Sequence, residues 1–255
     1  MSITKARHIE NPSVLYMNGV SVSFDGFKAL NSLSMVIAPG EMRAIIGPNG
    51  AGKTTMMDVI TGKTRPDSGR IIFNDTHDLT AYDEADVANL GVGRKFQKPS
   101  VIESLSVFEN LEMSLKGGRS IWQALCHRLS SHAATKLDEI LQMIDLVDRR
   151  NELAGNLSHG QKQWLEIGML LGQEPQLLLI DEPAAGMTDE ETMKTAALFK
   201  RLAQQHSLMV VEHDMEFIEA LDCKVTVLHE GRVLAEGSLA SVKQNPQVIE
   251  VYLGR

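Results

Sequence analysis

The chain has 255 residues, 43% hydrophobic and 23% charged, with 25 Lys plus Arg against 33 Asp plus Glu and a net charge of −8. This composition belongs to a globular protein long enough for a full core, and the acidic balance gives no broad positive field for nucleic acid or an anionic membrane. Cys126 and Cys223 stand alone without metal-ligand spacing, so neither a disulfide framework nor a structural zinc is expected; the polar first dozen residues do not read as a signal peptide, and no run approaches the roughly 18 to 20 apolar residues of a membrane span.

Residues 14–24 alternate apolar and polar side chains, and 33–37 do so again before Pro39-Gly40, the pattern of half-buried antiparallel strands. Residues 42–46 form a short apolar strand that runs into Gly47-Pro48-Asn49-Gly50-Ala51-Gly52. Behind that glycine loop, Met56, Met57, Val59 and Ile60 recur at helical spacing within 53–61. From 103 to 148 the period stays helical, carried by Leu105, Phe108, Leu111, Leu137, Ile140 and Ile144, with Gly117-Gly118 as a break. The continuous apolar runs 177–180 and 208–211, separated by a helical stretch around 196–202, predict buried parallel strands joined by a crossover. A hairpin is expected from 225–228 and 233–235 around Glu230-Gly231. No repeat or linker divides the chain, so the expected architecture is one α/β domain with a helical insertion near 97–156.

The glycine loop carries the first chemistry. Gly47, four residues, then Gly52-Lys53-Thr54 satisfies the phosphate-loop rule, with strand before and helix after. Glycines let successive N–H groups curl around phosphate oxygens, Lys53 reaches the β- and γ-phosphates, and Thr54 ligates Mg²⁺. Phosphoryl transfer also needs a carboxylate for the metal and a base for water. Asp181 and Glu182, ending an apolar strand, supply both: Asp181 for Mg²⁺ and Glu182 to polarise the attacking water. A third strand ends at His213, where a γ-phosphate would lie. Ser158 and Gln161 form a capping box before a helix. Such a helix start is a cap first, and with Gly160 beside it also an anion site.

These residues resemble the ATP-binding-cassette ATPases over nearly the whole chain. The resemblance implies a phosphate-loop NTPase core with an antiparallel β subdomain across 12–254, and an inserted helical subdomain at about 98–164. Gly47, Pro48, Asn49, Gly50, Ala51, Gly52, Lys53, Thr54 and Thr55 correspond to Walker A, 177–182 to Walker B and 157–161 to the signature. In that family two cassettes sandwich two ATP molecules, so Ser158, Gly160 and Gln161 would act on nucleotide held by the opposite subunit. The resemblance further assigns Gln97 to sensing magnesium and nucleotide, His213 to the switch position and Phe24 to stacking on adenine, although from its strand alone Phe24 reads equally as a core residue of an edge strand. Two positions depart from the pattern: His159 replaces the first glycine of the signature's usual pair, and Thr188 stands where Asp is common after Walker B, so dimer communication would pass through Asp189 or another contact.

Within the family the chain is similar to importer ATPases for hydrophilic and branched-chain amino acids. The stretches 91–97, 160–168, 211–217 and 251–254 are most similar to urea-transporter ATP-binding subunits, so the resemblance implies uptake of a small polar solute, urea first and branched-chain amino acids as the alternative. The resemblance implies ATP and Mg²⁺ as cofactors, a second cassette and membrane-spanning permease subunits as partners, a solute-binding protein as an indirect one, and a place on the cytoplasmic face of the membrane. The permease's coupling helix is expected on about 98–111. A soluble cassette acting on DNA or ribosomes fits less well, with no coiled-coil insertion and no basic footprint, and a GTPase or kinase lacks the Asn-Lys-x-Asp motif and has no use for a signature.

Overall fold

The computed structural model describes residues 12–95, 101–116 and 130–253. Strands β1 (Leu15–Phe24) and β2 (Phe27–Ile37) form a hairpin, and β3 (Met42–Ile46) leads through the glycine loop into helix α1 (Lys53–Ile60). Next come β4 (Ser68–Phe73), β5 (His77–Asp78), α2 (Glu84–Leu90) and β6 (Val92–Lys95). Helices α3 (Val107–Ser114) and α4 (Ser131–Met143) precede α5 (His159–Gly172) and β7 (Leu177–Asp181). Then α6 (Asp189–Leu202), β8 (Ser207–Val211), α7 (Met215–Leu221), β9 (Lys224–His229), β10 (Arg232–Gly237), α8 (Leu239–Lys243) and α9 (Pro246–Leu253) complete the described fold.

The strands form two sheets. An antiparallel sheet runs β2-β1-β4-β5, and a six-stranded sheet runs β10-β9-β3-β8-β7-β6. In the second, β6, β7, β8, β3 and β9 are parallel and only β10 is antiparallel. Continuous apolar runs make sense at its centre because both faces are covered. Leu177, Leu179, Met209 and Val211 pack toward α1 and the antiparallel sheet, whereas Leu178, Ile180, Leu208 and Val210 pack among α3, α4, α5 and α6.

The differences from expectation have local causes. The second strand begins at Phe27 instead of 33, because Asp25 (φ 47) and Gly26 (φ 86) make a two-residue turn that pairs Phe24 with Phe27. Strand β1 lies between β2 and β4, so Phe24 is not on an edge strand. The expected helical block resolves into α3, α4 and a 3₁₀ turn at Val147–Arg149, while Gly117-Gly118 lie outside the described residues. Strands β4, β5 and β6 and helix α2 have no counterpart in the periodicity reading.

A buried ion pair joins the central sheet to α5. Lys95 Nζ on β6 sits 3.3 Å from Glu166 Oε2 on α5, each side chain 5% exposed. A lysine in that position is tolerated only with a partner, since an isolated buried ammonium is strongly disfavoured.

Candidate nucleotide site

The glycine loop starts where β3 ends, at the carboxyl edge of the parallel sheet. A Cβ on Gly47 would collide with the Leu228 carbonyl oxygen, and one on Gly52 (φ +102) would sit 2.6 Å from the Ala29 carbonyl oxygen. Both positions therefore demand glycine, for space at the first and for conformation as well at the second. Lys53 Nζ folds back over the loop and donates to Gly47 O at 2.6 Å and Pro48 O at 3.1 Å. Burial holds its pKa below the ordinary lysine value, against the upward pull of Glu182 and Asp181. An ammonium held among carbonyls beside two carboxylates is a cation placed to receive an anion.

Strand β7 delivers the two acids. Asp181 is 5% exposed, and burial raises its pKa above the usual aspartate value; Arg94, Lys53 and Lys95 oppose that rise and Glu182 adds to it. Glu182 follows with φ 47, a left-handed turn that ends the strand, and its N–H donates to Val211 O at 2.9 Å. Because β7 and β8 are parallel neighbours, their ends bring His213 to Glu182, Nδ1 to Oε1 3.7 Å.

A cavity of about 410 Å³ unites most of these groups, within the size range of small-molecule sites. Its walls include Phe24, Asn49, Gly50, Ala51, Gly52, Lys53, Thr54, Thr55, Asp181 and Glu182. Gly47 and Pro48 hold its lysine from the start of the loop. Phe24 is 48% exposed, which excludes the core role and leaves a ring face available at the cavity. Phe27 lines the same wall and is 63% exposed.

Ser158, Gly160 and Gln161 are not among the cavity's walls. They open α5, where Ser158 Oγ accepts the Gln161 N–H at 3.2 Å and Gln161 Oε1 accepts the Ser158 N–H at 3.0 Å, the capping box expected from their spacing. His159 Nε2 lies 3.1 Å from Ala185 O, so the residue that replaces a signature glycine contacts the loop after β7. Gln97 lies outside the described residues.

The sequence reading missed Phe27, for which the Asp25-Gly26 turn was an available signal, and Glu212. The latter is 1% exposed. Its Oε1 accepts the Ala184 N–H at 3.0 Å, and its Oε2 accepts the His213 and Asp214 N–H groups at 2.8 and 3.2 Å. One carboxylate thereby ties the loop after Glu182 to the loop that carries His213.

The arrangement fits magnesium bound with a triphosphate. Among the described residues no group of three or more His, Cys, Asp or Glu side chains could hold a metal. Magnesium commonly takes one or two protein ligands and completes its shell with phosphates and water. Thr54 and the buried Asp181 carboxylate, which line the same cavity, offer oxygen donors of that kind and would hold the ion.

Comparison with known proteins agrees with this geometry. The family described as "ABC transporter" matches residues 30–185, and "Branched-chain amino acid ATP-binding cassette transporter" matches 232–255. The high-affinity branched-chain amino acid transport ATP-binding protein LivG of Escherichia coli (strain K12) is 33% identical over 94% of this chain and 98% of its own length. BraF of Pseudomonas aeruginosa, named for the same transport, is 30% identical over 94% and 98%. A nucleotide-free ATP-binding cassette from an ABC transporter superposes with a TM-score of 0.82 at 29% identity, covering 95% of this chain and 100% of that one. The ADP conformation of MJ1267, an ATP-binding cassette of an ABC transporter, superposes with the same TM-score at 30% identity, covering 95% and 99%. The cavity built on phosphate loop, Asp181 and Glu182 thus lies in a fold shared with nucleotide-binding cassettes, and the chain belongs to the ABC transporter family as one of its ATP-hydrolysing, ATP-binding subunits.

Proposed function

We propose that this chain powers an importer by closing with a second cassette around ATP and reopening after hydrolysis. The observation that carries the reading is the division of the site: phosphate loop, Asp181 and Glu182 share one cavity, whereas Ser158, Gly160 and Gln161 open a different helix away from it. A triphosphate seated on the loop leaves its γ-end open to a second surface, and the capped start of α5 on another subunit supplies N–H and hydroxyl donors for it. Phe24, with Phe27 beside it, would stack on adenine. Lys53 and the loop N–H groups would hold the phosphates, and Thr54, Asp181 and Gln97 would hold Mg²⁺, which neutralises charge developing on the phosphate oxygens. Glu182 orients and deprotonates the attacking water, and His213 contacts the γ-phosphate. Differential affinity of ATP for closed and open states then provides the work.

Among the described residues no helix is long and apolar enough to cross a membrane. In this reading membrane-spanning permease subunits supply the solute pathway, a solute-binding protein is their indirect partner, and this subunit sits on their cytoplasmic face. The coupling contact is placed on about 98–111, next to the position of Gln97. Exposed Ile102 in that stretch supports it.

For the solute, relatives named for branched-chain amino acid transport favour that class. Urea is the second reading, favoured by His159 at the signature position where amino-acid members usually carry Tyr. Deleting the gene and measuring uptake of labelled leucine and labelled urea decides between them. Loss of leucine uptake alone supports the first reading and loss of urea uptake alone the second; unchanged uptake of both contradicts the importer assignment for these solutes.

A further inference from the structure

The hydroxyl of Ser158 is already engaged. While its oxygen accepts the Gln161 N–H, its proton is donated to Glu191 Oε1 at 2.7 Å. The other oxygen of that carboxylate, Oε2, accepts from Thr188 N–H at 3.1 Å and Thr188 Oγ1 at 3.2 Å. Capping α6 therefore uses one oxygen of Glu191, and the second reaches across to the cap of α5. Gly160 makes room for this bridge, because a Cβ there would sit 2.7 Å from Glu191 Cδ and Oε1. The bond from Ser158 is also the largest influence holding the Glu191 carboxyl below its ordinary pKa, ahead of the Thr188 contact, so the group is an anion near neutral pH.

A serine hydroxyl has a single proton. Given to Glu191, it is not available to a phosphate oxygen, which only accepts. A carboxylate bonded to Ser158 also repels an approaching triphosphate. We propose that Glu191 is the positioning residue of Ser158: it holds the hydroxyl proton in the open state and yields that hydrogen bond to the γ-phosphate of the opposing subunit's ATP on closure. The inference rests on the reading that Ser158 acts across the dimer. Since the same carboxylate caps α6 through Thr188, release of Ser158 is felt in the loop 183–188 that follows Glu182.

Glu191→Gln separates this role from simple capping, because Gln completes a capping box as Glu does. With its amide oxygen toward Thr188, the amide nitrogen donates to Ser158 Oγ and frees the serine proton. The experiment uses the transporter complex isolated through this chain, in a Glu182→Gln background, and measures ATP retained through gel filtration against ATP concentration. Binding of a fluorescent ATP analogue to the uncomplexed full chain is measured alongside. The expected result is a split: half-maximal retention at about fivefold lower ATP in Glu191→Gln, with analogue binding unchanged. Retention that is unshifted or needs more ATP overturns the proposal, as does an equal shift in plain binding. If the Glu182→Gln parent retains no ATP at all, the closed-sandwich reading itself fails, and the proposal with it.

Discussion

Glu182 and His213 face each other across the ends of two neighbouring parallel strands, Oε1 to Nδ1 3.7 Å, with Glu212 Oε2 3.6 Å from the same nitrogen. That separation is beyond a hydrogen bond, and catalytic contacts commonly tighten only with substrate present. His213→Ala is expected to lower ATP turnover by about a hundredfold or more while leaving nucleotide affinity near native. Steady-state phosphate release and a binding titration check both halves.

Glu212 is expected to matter without touching nucleotide. Glu212→Ala strips the acceptors from three N–H groups around a buried site and should cost about 2 to 3 kcal/mol of stability. Glu212→Gln keeps one acceptor oxygen and should cost less. Urea denaturation of the two variants gives the comparison, and equal stability to the native chain would remove the carboxylate from the structural account.

In the proposed metal-holding role, Asp181 sits where function opposes stability. Its folded pKa is raised, so the folded chain binds its proton more tightly than the unfolded chain. That contribution favours folding at acid pH and fades as pH rises from about 3.8 through the raised folded value. Above that raised value the ionised carboxylate is therefore a burden on the nucleotide-free fold. Asp181→Asn is expected to raise the melting temperature without nucleotide by about 2 °C and to abolish the further rise given by Mg-ATP. A melting temperature that falls without nucleotide would contradict the sign.

The Lys95–Glu166 pair predicts an asymmetry. Lys95→Ala leaves the Glu166 carboxylate buried without this ammonium and should destabilise by about 3 kcal/mol or more. Lys95→Met with Glu166→Leu, which removes both charges and keeps volume, should recover most of that loss. A double-mutant cycle by denaturant unfolding measures the difference.

Much of the fold could be read along the chain because burial is two-sided at the sheet centre: residues 177–180 and 208–211 had to be apolar on both faces, and unbroken runs resulted. Strands β4 and β6 escaped because Ser68-Gly69-Arg70 and Gly93-Arg94-Lys95 interrupt their apolar pattern, and the buried Lys95 is paired with Glu166, 71 positions away in sequence and on another element. Within the site, the phosphate loop and the Asp181-Glu182 pair are local motifs and so were legible. The bridge from Ser158 to Glu191 joins residues 33 positions apart. The Thr188-x-x-Glu191 spacing announced its capping half, but its second half exists only once α5 and α6 pack. Glu212 adjoins a recognised histidine, yet its three N–H partners include Ala184 on another loop.

Glu182 is expected to separate closure on ATP from hydrolysis of it. Turnover and nucleotide retention by the Glu182→Gln subunit in its assembled transporter test this together. Turnover is expected to fall at least about a hundredfold while ATP stays trapped through gel filtration as unhydrolysed triphosphate. Native-rate hydrolysis, or a complex that binds ATP and never retains it, would contradict the account.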